Sequence, residues 1–247
     1  MSKDIIPTLF SCTNINIVRG IAEMKKQLIM KRLIGWYSNN VLPELPKIVA
    51  QYRATFNAAT NAADKAELLI YESNPMKRNC HQWYLKSCRV SSGQIVSQKI
   101  ISAKPWTYTG ATTFEDLYNY TSKLLGGIPY VGPLTYYDIA LRLAHLSGNP
   151  ALLPRDYVYI SSLPVKAFKR LIKKGYIKYG KKVLPSNIIK TSLLVSFFGT
   201  LEPRYIENLL CCVAKSIERL EGKRPAAKSG SPEALLDIEV RQMKLVP

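Results

Sequence analysis

The stretch LLGGIPYVGPLTYYDIALRLA, residues 124–144, decides how the middle of this 247-residue chain folds. An apolar segment runs into a turn marked by Gly126, Gly127, Pro129 and Gly132, then straight into a second apolar repeat. Glycine ends a helix by taking a left-handed backbone that other residues resist. Proline opens one at a position whose N–H lacks an intrahelical partner anyway. The pattern predicts one helix that stops at Gly126-Gly127 and another that starts at Pro133, with Leu134, Tyr137, Ala140, Leu141 and Ala144 as its packing face. The turn holds no acid, and the first N–H groups of the second helix have no partner within it, so the turn is suited to a phosphate.

Upstream, Thr112-x-x-Glu115 reads as a capping box ahead of Phe114, Leu117, Tyr118 and Leu124 on a helical repeat. Helical repeats are also predicted over 14–42, ended by Pro43 and Pro46, and over 47–71 with Ile48, Tyr52, Phe56, Ala59 and Ala63 on one face. Downstream, Tyr157–Ile160 is β-branched and aromatic but too brief to make a sheet. Ser162 can cap a helix from Pro164 to Lys174, closed by Gly175. A short apolar helix over 186–198 and a strongly periodic one over 203–220 follow. The Pro/Gly/Ser/Lys-rich run after Glu221 reads as a flexible tail. The chain is therefore expected to be all-α. Its expected divisions are an N-terminal helical region (1–111), a helical domain carrying the hairpin (112–220) and the tail (221–247). Two lobes joined near Gly110–Thr112 would bring the basic segments to a groove.

Charge narrows the partner. Lys and Arg number 35 against 17 Asp and Glu, a formal net charge of +18, which draws polyanions such as DNA, RNA or anionic lipid. The charge is concentrated. Residues 73–114 contain no acid but hold Lys77, Arg78, Lys86, Arg89, Lys99 and Lys104 among Trp83, Tyr84, Trp106 and Tyr108. Such interleaving can grip a backbone and stack on an unpaired base, or the aromatics can be core with only the charges outside. Between Ser161 and Lys190 stand nine basic residues and no acid, with Lys173, Lys174, Lys181 and Lys182 as the candidate phosphate contacts.

Several classes fall away. The five cysteines (Cys12, Cys80, Cys88, Cys211, Cys212) are odd in number and lack framework spacing, so they read as reduced thiols. Cys80, His81 and Cys88 lack a fourth ligand for zinc, and no metal is expected. No P-loop, dinucleotide fingerprint, nucleophile elbow or His-Glu-x-x-His motif occurs. The low acid count disfavours a two-metal nuclease. No signal peptide or membrane-length apolar run is present, so a cytoplasmic or nuclear location is expected, and the chain is expected to be a monomer.

Ile128-Pro129-Tyr130-Val131-Gly132, followed by Thr135, resembles the hairpin of helix-hairpin-helix DNA-binding proteins, above all the base-excision DNA glycosylases of DNA repair. Those carry a Leu-Pro-Gly-Val-Gly type turn and then a threonine. Tyr130 stands where they have the middle glycine. The resemblance covers about residues 112–160. It implies a double-stranded DNA partner held by Tyr130, Val131 and Gly132, with a Thr135 hydroxyl that adds a contact or braces the turn. It implies no cofactor beyond a monovalent cation bridging hairpin carbonyls and phosphate.

The resemblance also places a catalytic aspartate roughly two dozen residues past the hairpin, which carries onto Asp156 beyond the Gly148-Asn149-Pro150 loop. A carboxylate there stabilises the cationic sugar as the N-glycosidic bond of a modified base is hydrolysed. A helix cap or a salt bridge also accounts for Asp156. Leu134 replaces the lysine that bifunctional members use, so a Schiff-base lyase step is not expected. The flipped base would enter a pocket for which Trp83, Tyr84, Trp106 and Tyr136 are candidates, with Tyr137 beside them. Asp138 is explained by the helix dipole and His145 by packing. A non-enzymatic DNA or RNA binder, or an RNA- or ribosome-associated factor, fits the same features.

Overall fold

A computed structural model describes residues 11–71, 83–160, 163–179 and 188–246, with side chains from position 24 onward except Trp83 and Tyr84. In chain order the helices are α1 (Ser11–Asn40), α2 (Leu45–Ala58), α3 (Ala62–Tyr71), α4 (Trp83–Ser87), α5 (Val90–Ala103), α6 (Phe114–Leu125), α7 (Pro133–Ser147), α8 (Leu163–Lys173), α9 (Val195–Phe198), α10 (Pro203–Leu220) and α11 (Pro232–Gln242). Two three-residue strands, β1 (Tyr157–Tyr159) and β2 (Ile188–Lys190), pair antiparallel with Val158 opposite Ile189. The all-helical expectation holds, with this one small ladder added.

Two apolar cores organise the helices. Tyr52, Phe56, Leu69, Ile100, Phe114, Leu125 and Ile139 gather α2, α3, α5, α6 and α7 into one. Leu33, Tyr37, Phe168, Leu171, Leu209 and Val240 gather the second half of α1 with α8, α10 and α11 into the other. The expected division at residue 111 is corrected: α5 and α6 share a core, and α1 packs with the C-terminal half. Successive side chains of a strand point to opposite faces. Hence Val158 joins the second core and its neighbour Tyr159 the first, and β1 lies where the two meet.

Local chemistry explains where the other elements depart from periodicity. The repeat over 47–71 is broken at Ala59, whose backbone is extended, because the Asn61 side chain accepts from the Asp64 N–H at 2.8 Å and caps a new helix. The capping box lies one residue later than expected. Thr113 caps α6 and Asp116 reaches back to the Thr112 and Thr113 N–H groups at 2.9 and 2.8 Å. Those bonds hold the Asp116 carboxyl down to about 2. The apolar 186–198 run is not one helix: Ile188 and Ile189 enter the ladder, and among its described residues only Val195–Phe198 are α-helical.

The tail is folded. Ser231 caps α11, accepting from the Ala234 N–H at 3.3 Å, and Pro232 opens it. Leu236, Val240, Met243 and Leu245 are each 2% exposed or less in the second core. Asp237 accepts from Arg219 at 2.6 and 3.0 Å and from the Ser216 hydroxyl at 2.5 Å, and the Trp36 indole donates to the Pro232 carbonyl at 2.8 Å. For this part composition alone points to looseness, but Leu236, Val240 and Met243 at helical spacing, with Leu245 just beyond the helix, outweigh it.

Candidate nucleic-acid interface

The hairpin is built from its two helices inward. Phe114, Leu117, Thr121 and Leu125 form the buried face of α6. The Thr121 hydroxyl lies 3.1 Å from the Tyr136 carbonyl, tying α6 to α7. Seven residues, 126–132, separate the helices. Gly127 takes φ +80°, which lets the chain leave α6 without a Cβ clash. Ile128 is buried and roots the turn. Its carbonyl then accepts from the Val131 N–H at 3.1 Å, closing a four-residue turn with Pro129 at the second position and Tyr130 at the third.

That turn asks for a positive φ at its third residue, the place glycine normally fills beside such a proline. Tyr130 adopts it, at φ +63°. A left-handed backbone costs a side-chain-bearing residue roughly 1–2 kcal/mol. Tyr130 is 61% exposed, so burial of its ring does not offset that cost. The Arg89 guanidinium, from the residue that caps α5, lies over the ring 3.9 Å from its centroid. An exposed cation–π contact of this kind contributes about 0.5–1 kcal/mol. It also brings one cation of the acid-free 73–114 segment, Arg89, onto the hairpin tip. From the same helix, Lys99 donates to the Leu124 carbonyl at 3.0 Å, at the C-terminal end of α6 where the dipole favours a cation.

Gly132 is the N-cap of α7, with no side chain to take the N–H groups of the first turn. Its φ of −154° is extended backbone, and a Cβ built on it would meet nothing within 4 Å. The space above Gly132 is therefore open to an incoming group. Val131 is half-buried, and its carbonyl accepts from the Tyr136 hydroxyl at 3.2 Å. Of the hairpin carbonyls, those of Ile128 and Val131 thus already accept hydrogen bonds.

The remaining site residues are scattered. Thr135 is 1% exposed, which removes it from any surface a strand could touch and leaves the bracing role. Tyr136 braces the turn. Tyr137 is buried, stacked on Tyr159 at 5.4 Å. Trp106 is half-buried, edge-on to Phe56 at 5.8 Å, and packs against the core of the hairpin's own helices. The side chains of Trp83 and Tyr84, and residues Cys80, His81, Lys181 and Lys182, lie outside the described residues. Lys173 and Lys174 are exposed at the end of α8, whose apolar face belongs to the other core. Part of the α8 charge is neutralised within the fold, by Lys166 with Glu218 at 3.8 Å and by Arg170 with Glu221.

Asp156 is exposed. Its carbonyl accepts from the Thr191 N–H at 2.8 Å, and the Arg155 carbonyl accepts from the Thr191 hydroxyl at 3.0 Å, so its backbone closes the end of the β1–β2 ladder. Among the described residues no group of three or more His, Cys, Asp or Glu could hold a metal. Cys88, Cys211 and Cys212 are free thiols. No helix among them is long and apolar enough to cross a membrane.

His145, on the last turn of α7, is pushed down to about 4 by burial and by Arg204 and Arg53 nearby. It is neutral in the fold, whereas the unfolded chain takes up its proton below about pH 6.5. Its contribution to stability is therefore full above pH 6.5 and lost as pH falls toward 4. His145→Gln should flatten this part of the pH dependence of Tm. If variant and wild type lose Tm in parallel between pH 6.5 and 4.5, the histidine is not responsible.

Sequence reasoning missed Arg89 as a hairpin partner and Glu207, a 6% exposed acid on α10 whose charge bears on Tyr37 and Tyr137. Arg89 was visible only as one cation among several. Glu207 sits at a polar step of an otherwise periodic helix, and nothing local marks it as buried. No family model, curated protein or solved structure matches the chain.

Proposed function

We propose that this chain is a nucleic-acid-binding protein of the helix-hairpin-helix type, which holds a DNA backbone against the turn between α6 and α7. The observation that carries the reading is the acid-free turn itself, with an uncapped helix start at Gly132, open space above it and an exposed tyrosine at its tip under an arginine. Backbone N–H groups and the helix dipole favour a phosphate at such a place. The net charge of +18 supplies the sequence-independent attraction. The test is anisotropy of a labelled DNA duplex titrated with protein at several salt concentrations. Binding that weakens linearly on a log–log plot is expected, and binding absent at low salt would end the proposal.

Hydrolysis of a base–sugar bond is a further step, for which the resemblance supplies Asp156. An exposed carboxylate is hydrated and stabilises a cationic sugar less than a desolvated one does. The geometry thus supports binding better than catalysis. Duplexes carrying deaminated or alkylated bases should yield no abasic sites on incubation, and Asp156→Asn should bind DNA as the wild type does. Abasic sites formed by the wild type and missing with Asp156→Asn would establish the hydrolase instead.

A further inference from the structure

We infer that Tyr130 and Arg89 form a stacking platform for an unpaired nucleobase, so that the hairpin takes gapped DNA in preference to intact duplex. This rests on the hairpin's being the DNA-binding turn and names the kind of DNA it selects.

Three observations converge. Tyr130 occupies a backbone position that suits glycine, at φ +63°, and its ring is turned out rather than into the core, with 61% of the residue exposed. A bulky residue in that conformation is a rare outlier, of the sort that clusters at functional sites. The ring is also held in place: the Arg89 guanidinium covers it at 3.9 Å from the centroid. A guanidinium over an aromatic ring favours that placement of the ring and keeps N–H donors that phosphate oxygens can accept.

The third observation is position. Tyr130 and Gly132 are two residues apart, at most about 7 Å of chain. Consecutive phosphates of a strand are spaced roughly 3.4 Å along a duplex axis. A phosphate seated at Gly132 therefore brings a base one or two nucleotides away to the tyrosine. In an intact duplex that base has both faces covered by its neighbours and offers only edges. At a gap it offers a face, and a face is what an aromatic ring binds, whatever the base. Glycine at the same turn would keep the phosphate contact and forfeit this selection.

The experiment compares the affinity of one labelled duplex with that of the same duplex lacking a single nucleotide, for wild type, Tyr130→Gly, Tyr130→Phe and Gly132→Ala. Tyr130→Gly suits the positive φ and should fold at least as well as the wild type. The wild type should prefer gapped DNA by roughly tenfold, the range expected of one stacked base. Tyr130→Phe, which keeps the ring, should retain that preference, and Tyr130→Gly should bring it close to one. An equal preference in Tyr130→Gly and wild type, or no preference in the wild type, overturns the platform. If Gly132→Ala still weakens both DNAs in that case, the hairpin reading stands alone. If neither DNA binds at all, the hairpin reading has failed and the platform with it.

Discussion

Gly132→Ala should weaken DNA binding by roughly ten- to a hundredfold while leaving the melting temperature within about a degree or two of the wild type. Alanine is accommodated by the fold because φ of −154° is ordinary extended backbone and the built Cβ meets nothing within 4 Å. Surface changes of this kind usually lie within about 0.5 kcal/mol of neutral. The same open space is where a phosphate oxygen would have to come to reach the backbone N–H groups. Hydrogen bonds to a charged group are each worth about 1.5–3 kcal/mol, and 1.4 kcal/mol is tenfold in Kd. No cation is removed, so the slope of log K against log salt should stay as it was. Replacing Lys173 and Lys174 would act oppositely, reducing the slope by about 0.9 for each phosphate that they neutralise in the wild type. A Gly132→Ala protein that binds within threefold of wild type would place the DNA contact away from the hairpin.

Removal of residues 231–247 should abolish cooperative folding. Leu236, Val240, Met243 and Leu245 leave the second core together. At about 1.5–3 kcal/mol for each buried side chain, the loss is on the order of 6–12 kcal/mol, comparable with the whole stability of a typical domain. The truncation also leaves Arg219, a largely buried guanidinium, without the Asp237 carboxylate. A graded form of the test is Asp237→Ala, for which breaking a buried pair predicts a loss of about 3–5 kcal/mol. Denaturant unfolding followed by circular dichroism measures both. A truncated chain that melts as sharply and at nearly the same temperature as the intact one would show that α11 is an ornament on the core.

How much was legible beforehand depended on whether the signal was local. The bounds of α10 could be read directly, since Pro203 opens it and six apolar residues from Ile206 to Leu220 keep a 3.6-residue period. The starts of α7 and α8 were also close, for the same reasons of proline chemistry and periodicity. The break between α2 and α3 was missed because Asn61 acts through side-chain hydrogen bonds to Asp64 that interrupt no apolar repeat. The strand at Ile188 was missed because three residues carry too little pattern, and the residue it pairs with, Tyr159, lies 29 positions earlier in the chain.

By itself the amino-acid order determined the helical class, the turn between α6 and α7 and the excess of positive charge, because periodicity, Gly/Pro punctuation and net charge act within a few residues or are simple sums. Only the tertiary structure decided that α1 belongs with the C-terminal half, that α11 is core and that Thr135 is sealed while Tyr130 is not. It alone brought Arg89 over Tyr130, across forty residues of chain. Contacts of that range depend on which helix faces meet when two cores assemble around β1, and apolar faces are interchangeable until packing selects among them.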